Sequence, residues 1–191
     1  MTRALDAESL AGFHDRGLSW EDYLATDRRL AEDWRRIHER ITLDDSQRRL
    51  VEGFTRTMPV LVSSGIWCGD CVQQGPLLQR IASASDRIDL RWLDRDEHPA
   101  FSRPLRINGG DRVPMVVFMS EDFEPVAVAG DRTLTRYRAI AARNLGPSCP
   151  LPGAPVPQDE LAGTLQDWLD EFERVQLLLR VSPRLRELNG D

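Results

Sequence analysis

Two cysteines separated by two residues, Cys68 and Cys71, form the motif whose residue types and spacing best suit chemistry. They stand where an apolar run of strand length gives way to a helical pattern. Unpaired N–H groups and the positive dipole at a helix start stabilise a thiolate, so we expect Cys68 to attack and Cys71 to resolve. Gly69 and Asp70 lie between them, and oxidation would close a small ring. The spacing predicts a pair that cycles between dithiol and disulfide.

Asp70 is expected to act on this thiolate in two opposing ways. A carboxylate in the first helical turn favours the helix by about 0.3–1 kcal/mol, but its charge opposes ionisation of Cys68 by about 1 kcal/mol in water. Arg112, immediately before Val113 and Pro114, is our candidate for the positive charge that offsets Asp70. We therefore expect Cys68 to ionise near or above neutrality, as a reducing thiol rather than a strong oxidant.

Other reactive groups form no comparable pattern. Cys149 lies in a proline-rich stretch, and we interpret it as incidental, with an extra resolving or regulatory thiol as the alternative. A zinc site built from the three cysteines and one histidine would lack the second close pair of a zinc ribbon. The acidic cluster Asp94, Asp96, Glu97 and Asp111 is interpreted as a solvated edge and a helix cap. We predict no metal and no cofactor.

Composition excludes several function classes. The chain has 191 residues, a net charge of −6, and 25 basic residues that are all arginine. Without lysine, neither Schiff-base chemistry nor a lysine-cradled phosphate loop is available. The acidic balance argues against a nucleic-acid partner. Acids stand where a secretory leader would be apolar, and the longest apolar run is far shorter than a membrane span, so we expect a cytoplasmic protein that does not contact membranes.

The elements that must position the cysteines follow from the hydrophobic pattern. Residues 1–57 are predicted to form a helical extension packed on the core, with caps at Ser19 and Thr42. In residues 58–145 we predict strands at 58–64, 88–94, 113–119 and 125–130, with helices between and after them. Residues 146–158 contain five prolines and are predicted to be a linker. Residues 159–191 are predicted to form a second helical extension.

The motif and its surroundings resemble the thioredoxin superfamily. The sequence Trp67 to Cys71 is followed by Pro76 at the position of the family's helix proline, by Pro114 at that of its cis proline, and by Gly130 at that of a strand-end glycine. The resemblance covers about residues 58–145. It is greatest to a bacterial thioredoxin-like group with a Trp-Cys-Gly-Asp-Cys site, and extends to a small eukaryotic thioredoxin-related protein with Asp before its second cysteine.

The resemblance implies a mixed sheet of four or five strands between helices, and dithiol–disulfide exchange at Cys68 and Cys71. It also implies that the backbone of Val113, beside Pro114, pairs with a bound substrate chain, and that Trp67 forms part of the apolar surface around the site. The partners would be a disulfide-containing protein or small molecule and an upstream reductant. The alternative is a binding or scaffold module whose extra helices dock a partner.

One departure from thioredoxin concerns proton transfer. The family's buried aspartate would fall on Val62, and its lysine on the next strand would fall on Leu90 or Arg91. The usual base for the resolving cysteine is therefore missing. Asp70, Ser64 or water are the substitutes that the sequence offers.

Overall fold

A four-stranded mixed sheet carries the cysteine pair in the computed structural model, which describes residues 5–145 and 159–191. The strand order is β2-β1-β3-β4; β1 pairs with β2 in parallel and with β3 antiparallel, and β3 pairs antiparallel with β4. The strands are β1 (Met58–Ser64), β2 (Ile88–Asp94), β3 (Met115–Met119) and β4 (Pro125–Gly130). β1 is central and buried along its whole length, which explains the apolar run of its first five residues.

Helices precede, interrupt and follow the sheet. Those before β1 are α1 (Ala7–Arg16), α2 (Trp20–Ala25), α3 (Arg28–Arg40) and α4 (Asp45–Glu52). Between the strands lie α5 (Gly69–Ala82), α6 (Pro99–Ser102) and a short 3₁₀ helix (Arg103–Leu105). After β4 come α7 (Leu134–Leu145), α8 (Glu160–Val181) and α9 (Pro183–Asn189).

The alternation of side chains along each strand divides the core between two faces of the sheet. Val60 and Val62 join a large cluster with residues of α2, α3, α4, α5 and α8. Leu61, between them, joins a smaller cluster with residues of α1 and α6 on the other face. The helices that precede β1 therefore cover both faces of the sheet.

Trp34 of α3 joins the preceding helices to the helix that begins at the cysteines. It is fully buried and meets the rings of Tyr23 and Trp92 at centroid distances of 5.7 Å each. α3 approaches α5 closely at Gly75, where a Cβ atom would lie 2.1 Å from Cζ3 of Trp34. Only glycine permits this contact between the two helices.

α8 belongs to the same core as the sheet. Trp168, Leu169 and Phe172 are buried in the large cluster, and the Phe172 ring packs edge-on against Phe118 of β3. Gln176 accepts a 2.8 Å hydrogen bond from the backbone N–H of Arg56 and donates one of 3.0 Å to its carbonyl. These contacts tie α8 to the segment that enters β1.

The predicted fold class is confirmed, with a sheet of four strands. The bounds of β1, β2 and β4 agree with the prediction, whereas β3 begins two residues later than expected, at Met115. The cap of α4 was placed wrongly: Asp44 rather than Thr42 is the N-cap, because its carboxylate and the Gln47 side chain form the reciprocal pair of a capping box. The predicted linker lies outside the described residues.

No helix that the structure describes is long and apolar enough to cross a membrane.

Candidate active site

The loop between β1 and α5 is held in place from the side of the preceding helices. The indole N–H of Trp34 donates a 3.0 Å hydrogen bond to the carbonyl of Ile66. The Gly65 carbonyl accepts a 2.9 Å bond from the N–H of Cys68, which occupies the N-cap position of α5 in an extended conformation. No side chain caps this helix. The first N–H groups of α5 are therefore left to face the sulfur of Cys68.

The two cysteines carry free thiols in different environments. Cys68 is partly exposed and Cys71 is fully buried. Hydrogen bonding from the Cys71 thiol and from the N–H groups of Cys71 and Asp70 lowers the pKa of Cys68 to about 6, although burial and the Asp70 charge act in the opposite direction. Burial, together with the hydrogen bond and charge of Cys68, raises the pKa of Cys71 well above its usual value.

The pKa of Cys68 therefore lies at the low end of the expected range, near neutrality rather than above it. The expectation weighed the charge of Asp70 but not the hydrogen bond from the Cys71 thiol, which is the largest influence on the pKa of Cys68. At neutral pH Cys68 is mainly thiolate and Cys71 is protonated. This is the division of roles expected for an attacking and a resolving thiol.

The turn before β3 closes the site on the sheet side. The carbonyl oxygen of Val113 lies 3.9 Å from the sulfur of Cys68, and the Val113–Pro114 peptide bond is cis, as the resemblance implied. Gly130 has a φ of 137°, and a Cβ atom there would lie 2.5 Å from the carbonyl oxygen of Pro114. The strand-end glycine thus lets β4 approach the backbone beside the cysteines.

Trp67 forms the exposed apolar edge of the site. Its side chain is 50% exposed, and the guanidinium of Arg95 lies 4.8 Å from the ring centroid. Trp67 and Gly69 also line a groove of about 440 Å³ between α3 and the start of α5. The apolar side chains along this groove are Leu30, Ile37, Ile66 and Val72.

Asp70 is paired with two arginines of the region after β4. Its carboxylate accepts hydrogen bonds of 2.5 and 3.0 Å from Arg132 and of 3.1 and 3.3 Å from Arg136. Burial raises the pKa of Asp70, but the hydrogen bonds and charges of these arginines outweigh it and leave that pKa below its usual value. The Asp70 charge near Cys68 is therefore largely neutralised.

We expected Arg112 to offset the charge of Asp70, but the structure pairs Asp70 with other arginines. The guanidinium of Arg112 is half exposed and lies 4.0 Å from the carboxylate of Asp131. Its position immediately before Val113 suggested proximity along the chain, whereas Asp70 pairs with Arg132 from the segment after β4 and with Arg136 from the first turn of α7. Nothing in the sequence links these two arginines to Asp70.

A buried polar network connects the cysteine helix to α8. Gln74 donates a 2.9 Å hydrogen bond to the carbonyl of Asp131 and accepts one of 3.2 Å from the indole of Trp168. Arg136 extends the connection because it also pairs with Glu160, at the start of α8. These hydrogen bonds and ion pairs thus connect α5 to the segment after β4 and to α8.

The other candidate functional residues are the zinc-site residues, Cys149 and the acidic cluster. Among residues 5–145 and 159–191, no three His, Cys, Asp or Glu side chains are grouped as a metal site would require. Cys149 lies outside the described residues. Asp94 is the last residue of β2, and its carboxylate accepts a 2.8 Å hydrogen bond from the N–H of Asp96 in the turn that follows.

Comparison with known proteins gives one family match. A thioredoxin family model matches residues 17–140, a range that begins among the helices preceding β1. A comparison with curated proteins finds no match.

The chain is also similar to solved structures. A protein of unknown function from Pseudomonas aeruginosa is similar with a TM-score of 0.66 and 15% identity, over 86% of this chain and 95% of that one. An HIV epitope scaffold gives a TM-score of 0.59 and 16% identity, over 95% of this chain and 98% of its own. Mitochondrial thioredoxin 3 from Saccharomyces cerevisiae gives a TM-score of 0.34 and 21% identity, over 49% of this chain and 86% of its own. At these identities the first two show a shared fold.

Proposed function

The chain belongs to the thioredoxin family, and from this premise we propose that it is a thiol–disulfide oxidoreductase that reduces disulfides at Cys68 and Cys71. The observation that carries the proposal is the asymmetry of the pair. An accessible thiol with a pKa lowered to about 6 lies at a helix start, beside a buried thiol whose pKa is raised. A module that only binds a partner has no need of such a thiolate.

The reaction we propose has two exchange steps. The Cys68 thiolate attacks one sulfur of a substrate disulfide, forms a mixed disulfide and releases the other sulfur as a thiolate. Cys71 then loses its proton and attacks the sulfur of Cys68, which releases the second substrate sulfur. The dithiol has supplied two electrons and become a Cys68–Cys71 disulfide. An upstream reductant must return it to the dithiol form.

The surroundings of Cys68 support a polypeptide substrate. The Val113 carbonyl lies 3.9 Å from the attacking sulfur, in the turn before β3, where we propose that its backbone pairs with an extended substrate chain by hydrogen bonding. Trp67 and its groove supply apolar contact next to the scissile disulfide. Within the family, we assign the chain to the bacterial group with a Trp-Cys-Gly-Asp-Cys motif and propose the cytoplasm as its compartment.

Insulin-disulfide reduction with dithiothreitol as electron source tests this function. We expect the wild type to accelerate insulin precipitation, Cys68→Ser to abolish the acceleration, and Cys149→Ser to retain it. Trapping of a covalent complex by Cys71→Ser would identify substrates. A folded wild type that reduces neither insulin nor a small aromatic disulfide would refute the oxidoreductase and leave the binding module.

A further inference from the structure

Two buried hydroxyl groups near Cys71 have no hydrogen-bond partner among residues 5–145 and 159–191. The side chains of Tyr23 and Ser64 are 1% and 0% exposed, and within those residues neither oxygen has a donor or acceptor in hydrogen-bonding geometry. Buried hydroxyls are normally satisfied, so an unpaired pair requires an explanation. Tyr23 belongs to the buried cluster that contains Cys71.

The pleat of β1 determines where Ser64 lies. Val60 and Val62 face the cluster that contains Cys71 and Tyr23, and Ser64 is the next residue on that face. Ser63, which is also buried and unpaired, lies on the opposite face with Leu61. The two serines therefore differ in which side of the sheet their hydroxyl occupies.

The ring of Tyr23 packs against two buried tryptophans. Its ring stacks on Trp92 at 5.4 Å and meets Trp34 edge-on at 5.7 Å. The Ser64 hydroxyl is close enough to act on both neighbours. It favours ionisation of the Cys71 thiol and of the Tyr23 hydroxyl, against the larger effect of burial in each case. Burial keeps Tyr23 protonated at neutral pH, so its hydroxyl is available as a donor.

The resolving step creates a demand for these donors. Cys71 must become a thiolate in a fully buried place, and Val62 stands where the resemblance to thioredoxin would put a carboxylate. The charged or titratable groups acting on Cys71 and Tyr23 are Cys68 and, from β2, Asp94. Both oppose a negative charge there. Among the described residues, the hydroxyl of Ser64 and the N–H of Gly65 are the groups that favour it.

We propose that Ser64 is a catalytic residue of the resolving step, whose hydroxyl donates to the Cys71 sulfur as it becomes a thiolate, while the Tyr23 hydroxyl donates to Ser64. Tyr23 is then a positioning residue contributed by the helices that precede the sheet. The proton that Cys71 loses passes to the departing substrate sulfur or, when that thiolate is weakly basic, to solvent. The two hydroxyls are unpaired in the dithiol form because the charge that they stabilise is absent. This inference rests on the proposed function.

Single-turnover reaction with dithionitrobenzoate separates the two exchange steps. In a Cys149→Ser background the first release of coloured thiolate reports attack by Cys68, and the second reports resolution by Cys71. We expect Ser64→Ala to slow the second release about tenfold and Tyr23→Phe about threefold, as for the loss of hydrogen bonds to a charged group. The pH profile of that release should move upward in both variants. The first release should stay unchanged.

Ser63→Ala is the matched control, since it removes a buried, unpaired hydroxyl from the other face of the same strand. We expect it to leave both releases unchanged. Equal slowing in Ser63→Ala, or an unaltered second release in both Ser64→Ala and Tyr23→Phe, would overturn the role of the hydroxyls and leave the proposed function standing. A wild type with no second release would overturn the proposed function as well.

Discussion

Replacing Asp70 with asparagine removes the carboxylate that holds α5 to the arginines beyond β4. The pairs are largely shielded from water: the exposed fraction is 16% for Asp70, 21% for Arg132 and 12% for Arg136. Exposed pairs contribute about 0–1 kcal/mol, whereas removal of one partner from a fully buried pair costs about 3–5 kcal/mol. Neither arginine would be left unpaired, because Arg132 also meets Asp131 and Arg136 also meets Glu160. We therefore expect Asp70→Asn to lower the free energy of unfolding by about 2 kcal/mol at neutral pH.

The loss should depend on pH with a defined sign. The folded-state pKa of Asp70 is lowered, so its ionised form stabilises the native state above the unfolded value, about 3.9, and this stabilisation disappears as pH falls through the folded pKa. Urea unfolding of both proteins from neutral to acidic pH measures the difference. The gap between wild type and Asp70→Asn should narrow below about pH 4.

A matched control for this experiment is Asp33→Asn. Asp33 pairs with Arg36 on the surface of α3, where the two side chains are 58% and 67% exposed. We expect a loss below about 0.5 kcal/mol. An Asp70→Asn loss as small as that of the control, or one equal at neutral and acidic pH, would refute the argument that the shielded ion pairs hold α5.

Two further outcomes follow from the same contacts. Asp70→Asn should also lower the pKa of Cys68 below about 6, because the carboxylate that opposes its ionisation is gone while both arginines remain. Thiolate absorbance against pH measures this pKa, and a rise would contradict the prediction. Gly75→Ala should destabilise the protein by about 1–3 kcal/mol, since the new methyl group would overlap Trp34. Gly69→Ala is the control for thermal unfolding and should not destabilise the protein, because its new methyl group would meet no described atom within 4 Å.

Local pattern was sufficient for most of the fold. β1 and β2 were predictable because the central strand begins with five consecutive apolar residues and its partner largely alternates between apolar and polar residues. The start of β3 was not, since Val113 and Pro114 are apolar yet form the turn beside Cys68. Apolar character reports burial, and it does not distinguish a strand from a buried turn.

The candidate site likewise contains residues that the sequence identifies and residues that only the structure identifies. Cys68 and Cys71 are recognisable because their chemistry depends on a short spacing at a helix start. The partners of Asp70 are not, since Arg132 and Arg136 lie far away along a chain with 25 arginines, any of which could complement an acid. The pKa of Cys68 lies at the low end of the predicted range for a related reason. It depends on how the Cys71 thiol is oriented, which spacing alone does not specify.

The sequence by itself determined the reactive pair, the order of the elements and the absence of lysine from any role, because these depend on residue type and on periodicities of a few residues. Tertiary structure alone decided which arginines neutralise Asp70, and that Tyr23 and Ser64 meet behind Cys71. The physical reason is that charge pairing and buried hydroxyl contacts act over a few ångströms in space. Folding brings Tyr23 near Ser64, and Arg132 and Arg136 near Asp70, although the chain keeps the members of each contact tens of residues apart.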